Sequence, residues 1–323
     1  MLRILVLTSV PLLDRRLLFV TGKGGVGKTS VASAIGLLAA KRGKRTLVCE
    51  SDSKGNLADF FGVGPLAFQP TEIRKGLFAM SMDTEESLKE YLRLQVKVPM
   101  LARIGPLAHT FDFVANAAPG VKEILTVGKF TWEVREDHYD LVVVDASATG
   151  HVVGQLAAPV AINDLVKVGV VRNQTDWMID ILTDPAQTGV VIVTVPEEMP
   201  VSETLELIAR LDAETSIDVA SIVMNRVLPE LFSRNEEEIF DRLDEPDGQA
   251  ALADLVGDGV AGVMSGAELA VTLRRSRVPH LNRLRDGVPP GLPIINLPFL
   301  FHRSHGVRAT SRIADALGDE LGY

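Results

Sequence analysis

The stretch LLFVTGKGGVGKTS, residues 17–30, runs from four apolar residues through a glycine-rich turn to Lys28, Thr29 and Ser30. The uninterrupted LLFV suits a strand buried on both faces. In TSVASAIGLLAAKRG, residues 29–43, apolar residues recur at three- and four-residue spacing, as on one face of a helix. Strand, turn and helix in that order give the string Gly22-Lys23-Gly24-Gly25-Val26-Gly27-Lys28-Thr29 its context. It fits G-x-x-x-x-G-K-[ST], whose glycines let backbone N–H groups close around phosphates. The helix N-terminus adds its positive end, Lys28 bridges the phosphates, and the Thr29 hydroxyl ligates Mg²⁺. Lys23 is one lysine more than such a loop needs.

Further aliphatic runs follow along the chain: TLVC at 46–49, LFAMSM at 77–82, LVVV at 141–144, VVIVTV at 190–195, ASIVM at 220–224 and PIINL at 293–297. Helical patterns lie between several of them, for example SETLELIARLDAE at 202–214. Runs of this kind alternating with helices predict an α/β fold, a doubly wound, mostly parallel sheet of the P-loop NTPase type. Residues 84–135 and 228–285 are too long for simple crossovers and read as amphipathic helices, a helical subdomain inserted at one end of a single domain spanning 1–323.

Composition bounds the partners. The 323 residues are 46% hydrophobic and carry a net charge of −9, which repels nucleic acid and anionic membrane. Cys49 is the sole cysteine, so neither an intrachain disulfide nor a cysteine-pair zinc site is expected, and a reducing, cytoplasmic compartment fits. The apolar start MLRILVLTSV is broken by Asp14, Arg15 and Arg16 and reads as a strand or loose extension rather than a signal peptide. No stretch is apolar for long enough to span a bilayer, so no stable membrane insertion is expected. The six histidines show no metal-binding spacing, with His302 and His305 reading as solvated.

A phosphate loop that holds magnesium also needs an acid at a neighbouring strand end. LVVVDASATGH supplies Asp145 after four aliphatics, where the carboxylate faces the phosphates. ASIVMNRV ends a strand on Asn225, whose amide offers the donor and acceptor that an adenine edge requires. A guanine-reading N-K-x-D loop would want an acid three residues later, where Leu228 stands, so ATP is preferred over GTP.

Longer stretches carry a family resemblance. The loop KGGVGKT resembles the deviant Walker A of the MinD, ParA and nitrogenase-iron-protein class, and four segments narrow it to the ArsA anion-transporting ATPase family. That family also includes the ATPase that targets tail-anchored membrane proteins. ESDSKGNLADFFG, residues 50–62, resembles the first switch, with Asp52 and Asp59 in register and Ser53 where proline is usual. DASATGH, residues 145–151, resembles the second switch, keeping Asp145, Thr149, Gly150 and His151, with Ala148 in place of proline. Residues 182–211 follow the family's strand-P-E-x-x-x-x-x-E-T-helix segment, and MNRV at 224–227 with LPFL at 297–300, including Pro298, sits where the family contacts adenine. The resemblance spans roughly residues 17–306 and is greatest to an actinobacterial-like branch.

The resemblance implies a dimer that buries two ATP molecules face to face, with Lys23 reaching the partner's phosphates. It implies that Asp52 orients or deprotonates the attacking water and reaches magnesium through a bound water. Glu197, Glu198 and Glu203 read mainly as capping or positioning groups for the helix that follows, with contact to nucleotide or partner as the second reading. The implied function is a Mg²⁺-dependent, ATP-hydrolysing dimeric switch coupled to a helical client- or partner-binding subdomain, with a hydrophobic protein or membrane protein as partner. Two alternatives stay open: a catalytically weak regulatory subunit paired with a paralogous ATPase, and a MinD- or ParA-like positioning ATPase. The acidic balance opposes DNA, and the C-terminal VRATSRIADALGDELGY lacks a basic amphipathic membrane face. A lone cysteine opposes arsenite. Between residues 84 and 135 Met100 is the sole methionine, and Leu92, Leu94, Val96, Val98, Leu101, Ile104 and Leu107 read as subdomain core, with a small client groove as the alternative.

Overall fold

The computed structural model describes residues 10–52, 56–96, 120–257, 259–301 and 306–323. Ser53, Val98, Met100, Leu101, Ile104, Leu107, His302 and His305 lie outside them, as do the side chains of Leu94 and Val96 and the residues before position 10.

Eight strands form one sheet: β1 (Leu17–Gly22), β2 (Thr46–Glu50), β3 (Thr71–Arg74), β4 (Leu77–Ser81), β5 (Leu141–Asp145), β6 (Thr188–Thr194), β7 (Val219–Val227) and β8 (Ile294–Pro298). Their order is β3-β4-β2-β5-β1-β6-β7-β8, and every neighbouring pair is parallel except β3 with β4. All seven aliphatic runs are strands. The eighth, β3, is an edge strand of sequence TEIR with no buried residue, so it carries no hydrophobic signature.

Side-chain alternation splits the core into two layers. Leu17, Phe19, Val142, Val144, Val190 and Ile192 face one layer, and Leu18, Val20, Val143, Val191 and Val193 face the other. The second layer is covered by α1 (Lys28–Lys41), α2 (Asn56–Phe61) and α11 (Val307–Glu320), through residues such as Ile35, Phe61 and Leu317. The first is covered by α4 (Val121–Arg135), α5 (Thr149–Leu165), α6 (Val170–Thr183) and α7 (Glu198–Glu214). Phe130 of α4 meets Phe19 of β1 edge to face, with ring centroids 6.3 Å apart.

Within 84–135, α3 (Thr84–Val96) leans on α4, and α4 itself lies on the sheet face. Residues 228–285 contain α8 (Arg234–Asp244), α9 (Pro246–Val256) and most of α10 (Val260–Gly287), which share a small core of their own around Phe240, Met264 and Val271. Leu284 at the far end of α10 returns to the main core. Among the described residues, no helix is long and apolar enough to cross a membrane.

The order of strands positions the site. The chain passes from β1 to β2 across β5 and later to β6 on the other side of β1, so crossovers diverge around β1. The C-terminal ends of β1, β2 and β5 lie level: Val20 pairs in register with Asp145, and Glu50 with Asp145. In open α/β sheets the crevice beyond such ends, at a change of winding direction, is where ligands bind.

Candidate functional site

A cleft of about 720 Å³ opens at this edge. It is lined by Gly24, Gly25, Gly27, Lys28, Thr29 and Ser30 from the loop and start of α1, by Asp52 after β2, by Asp145 at the end of β5, and by Asn225 and Pro298. Of the loop residues picked out from sequence, Gly22, Lys23 and Val26 are not in the lining. Gly22 and Val26 underlie the loop, Val26 being buried.

Two glycines are dictated by neighbours. At Gly22, φ is +147° and a Cβ would stand 2.1 Å from the Val193 carbonyl oxygen, so the loop leaves β1 pressed against β6. At Gly27, φ is +101° and a Cβ would stand 2.5 Å from Asn225 Nδ2. That amide donates to the Val26 carbonyl at 2.8 Å, and its Oδ1 accepts from the Arg226 N–H at 2.9 Å. Arg226 has φ +58°, a left-handed conformation held by this side-chain contact. Asn225 therefore ties the end of β7 to the phosphate-type loop, while lining the same cleft as Pro298, Phe299 and Leu300.

Below the loop, the Thr29 hydroxyl donates to Asp145 Oδ2 at 2.6 Å, and Asp145 Oδ1 is buried with no hydrogen-bond partner. Burial pushes the Asp145 carboxyl up to about 6, opposed by the Thr29 hydrogen bond and the Lys28 charge and reinforced by Glu50 and Asp52. A buried carboxylate oxygen left without a donor suits a cation or a cation-bound water. Among the described residues, no three His, Cys, Asp or Glu side chains form a metal cage. The donor set is thus one hydroxyl and one carboxylate, which matches a hard ion completed by phosphate and water oxygens.

Lys28 Nζ lies 3.4 Å from the Lys23 carbonyl oxygen, curled over its own loop. Asp52 and Asp59 both line the cleft, from the segment flanking α2 and from α2 itself. Glu50 is a residue that motif reading passed over. Buried at the end of β2, its Oε1 accepts from the N–H groups of Asn56 at 2.8 Å and Leu57 at 3.4 Å, anchoring the start of α2 below Asp59. The available signal was an acid closing a buried strand six residues before a helix.

The second switch-like stretch starts α5 at Thr149, with Ala148 as its N-cap at φ −66° and ψ 163°. That φ is the one a proline ring imposes, so alanine here keeps the backbone path without the rigidity. Glu197 is the N-cap of α7 but makes no side-chain cap bond, and Glu198 opens its first turn. Glu203 does not cap either: its Oε1 lies 2.5 Å from Lys23 Nζ and its Oε2 accepts from Thr149 Oγ1 at 3.2 Å. Cys49 is buried in β2, and burial pushes its thiol well above the usual range.

The family model for anion-transporting ATPases matches residues 15–176 and 164–245, a span holding the loop, both switch-like stretches and Asn225. The ATPase BagA of Mycobacterium tuberculosis is 35% identical over 225 residues, 66% of this chain and 66% of its own length. A putative arsenical pump-driving ATPase of Halobacterium salinarum is 31% identical over 272 residues, 73% of this chain and 41% of its own. An ASNA1 homolog ATPase of Entamoeba dispar is 26% identical over 250 residues, 65% of this chain and 76% of its own. The matched part thus spans just under two thirds of the mycobacterial relative. With the loop, the Thr29–Asp145 pair and the level strand ends falling inside the matched span, the chain belongs to the anion-transporting ATPase family.

Proposed function

We propose that the chain is a Mg²⁺-dependent ATPase working as a dimeric nucleotide switch. The observation that carries this reading is the Thr29 hydroxyl on Asp145, with the second carboxylate oxygen buried and unpartnered beneath the glycine loop. Thr29 and Asp145 would hold the ion, Thr29 directly and Asp145 directly or through water, with Asp52 close enough to share its charge. Bound Mg²⁺ supplies positive charge to the phosphate oxygens as charge builds on them.

The chain's own groups do the rest. Backbone N–H groups of residues 24–29 cradle the phosphates, and Lys28 swings from the Lys23 carbonyl to neutralise them. Asp52, at the cleft wall, orients the attacking water and accepts its proton. Asn225 and Pro298 form the wall against which the base rests, Asn225 reading it while holding the loop. Lys23 serves the nucleotide of a partner subunit, so hydrolysis waits on dimer closure.

Closure would move the helical segments 84–135 and 228–285, which carry the output. A metalloid output is disfavoured because Cys49 is the one cysteine and is buried in β2. A hydrophobic protein or membrane-protein partner, taken up in a cytoplasmic setting, fits the subdomain better.

The test uses the purified chain, measured for ATP turnover and by light scattering with and without Mg-ATP. Lys28→Ala should lose nucleotide binding or turnover. Asp52→Asn should bind ATP normally and hydrolyse it at least about 100-fold more slowly, as expected on losing a positioned acid–base group. Wild-type turnover without association on Mg-ATP would refute the dimeric part alone. ATP binding by a monomer without turnover would favour a subunit that works with a paralogue, the reading that Ala148 in place of the switch proline keeps open.

A further inference from the structure

Lys23 does not face the cleft. Its ammonium lies 2.5 Å from Glu203 Oε1 on the second turn of α7, both side chains being less than a third exposed. The other oxygen of that carboxylate accepts from Thr149, the first residue of α5. One side chain therefore joins the phosphate-type loop to the second switch-like stretch and to α7, across 180 residues to Lys23 and 54 to Thr149. The Lys23 backbone is engaged as well, its carbonyl lying 3.4 Å from Lys28 Nζ.

We infer that Glu203 is a positioning residue for Lys23: it holds the ammonium against its own subunit in the resting chain and gives it up when nucleotide-bound subunits close. The inference rests on the reading of Lys23 as a group acting across a dimer. A partly exposed ion pair is weak enough to be exchanged for the denser charge of a triphosphate, which a deeply buried pair would not be. Its link to Thr149 gives the release a trigger. When the start of α5 shifts on nucleotide binding, Glu203 loses one of its two contacts and its hold on Lys23 loosens. Hydrolysis is held back because the lysine is kept from the partner's phosphates until the switch moves.

Glu203→Gln removes the charge but keeps an acceptor for Thr149. Two readouts on the full chain test it. In nucleotide-free protein, acetylation of Lys23 by limiting acetic anhydride, quantified by mass spectrometry against Lys41, should rise about two- to five-fold in Glu203→Gln. Turnover at low chain concentration should rise by a similar factor, and Lys23→Ala should abolish that gain in the double variant. Thr149→Val, which leaves Glu203 in place, should raise Lys23 acetylation by less. Unchanged acetylation in Glu203→Gln overturns the hold on Lys23. A fall in turnover to the level of Lys23→Ala overturns it too, because Glu203 would then aid the productive state. The dimer reading fails separately, if Lys23→Ala turns over normally while the acetylation difference persists.

Discussion

Asp145 is charged at neutral pH in surroundings that disfavour the charge. Burial raises its carboxyl from 3.8 to about 6, so the folded chain binds a proton more readily than the unfolded chain. A group of this sign adds stability below the unfolded value and loses it as pH rises through the folded value. The contribution is therefore fully present below about pH 4, drains away between about 4 and 6, and is absent above. Asp145→Asn should accordingly melt higher than wild type without nucleotide or metal at pH 7, by on the order of 2–3 kcal/mol. The difference should shrink towards pH 4. Thermal unfolding of both proteins across pH 4–8 checks this, and a difference that stays flat with pH would contradict it. The same substitution should remove any stabilisation by Mg-ATP, since the oxygen left without a partner for the ion would carry no charge.

At the scale of elements, β6 and β7 begin in close contact around a buried arginine. Arg15, 2% exposed, donates from Nη1 to the Thr188 carbonyl at 2.7 Å and from Nη2 to Asp218 at 2.6 Å. It fits because position 189 has no side chain: a Cβ on Gly189 would lie 2.7 Å from Ala220 Cβ and 2.7 Å from Arg15 Nη1. Gly189→Ala should cost about 1–3 kcal/mol through overpacking, read as a lower denaturant midpoint with unchanged slope. This arrangement was hidden in the sequence, where Arg15 and Arg16 looked like a polar interruption. Strands buried on both faces show in one dimension because burial needs consecutive apolar residues, and the glycine loop shows because backbone closure needs glycines. Edge strand β3, with no fully buried residue and only Ile73 resting on the core, imposes neither demand. Asp145, Thr29 and Asn225 were legible because each lies at or within two residues of an element's end at the same sheet edge. The partners of Lys23 and Asn225 were not, because Glu203 and the Val26 carbonyl reach them only through the folded topology.

Across the whole molecule, stability is distributed in two tiers. The sheet and the helices packed on it share two continuous cores, one on each face. Among the described residues, the α8–α10 segment has only Phe240, Met264 and Val271 buried in a cluster of its own, with Phe232, Leu243 and Leu252 packed around them, and α9 shows no buried residue. Leu255, Val256, Val263 and Leu269 are largely exposed there, so the segment leaves apolar surface unburied that the sheet does not. At about 25 cal/mol per Å² of apolar area, a cluster this small cannot hold three helices as firmly as the main cores hold theirs. Its ties to the rest run through α10: Arg274 donates to the Leu228 carbonyl at 2.7 Å, Arg277 donates to the Arg226 carbonyl at 3.4 Å, and Leu281 and Leu284 pack on the main core. Hydrogen exchange should therefore be sub-global in 234–270, with amides there exchanging at least about 100-fold faster than those of β1, β5 and β6. A low-stability element is also what a nucleotide switch needs in the part it moves. Mg-ATP should slow exchange in residues 22–30 through direct contact, and change it in 234–270 through coupling, although those helices contribute nothing to the cleft lining. Exchange in 234–270 as slow as in the sheet would show that the cluster is better anchored than its burial indicates. Fast exchange there that ignores Mg-ATP would confine the nucleotide's effect to the sheet edge and remove this segment from the output.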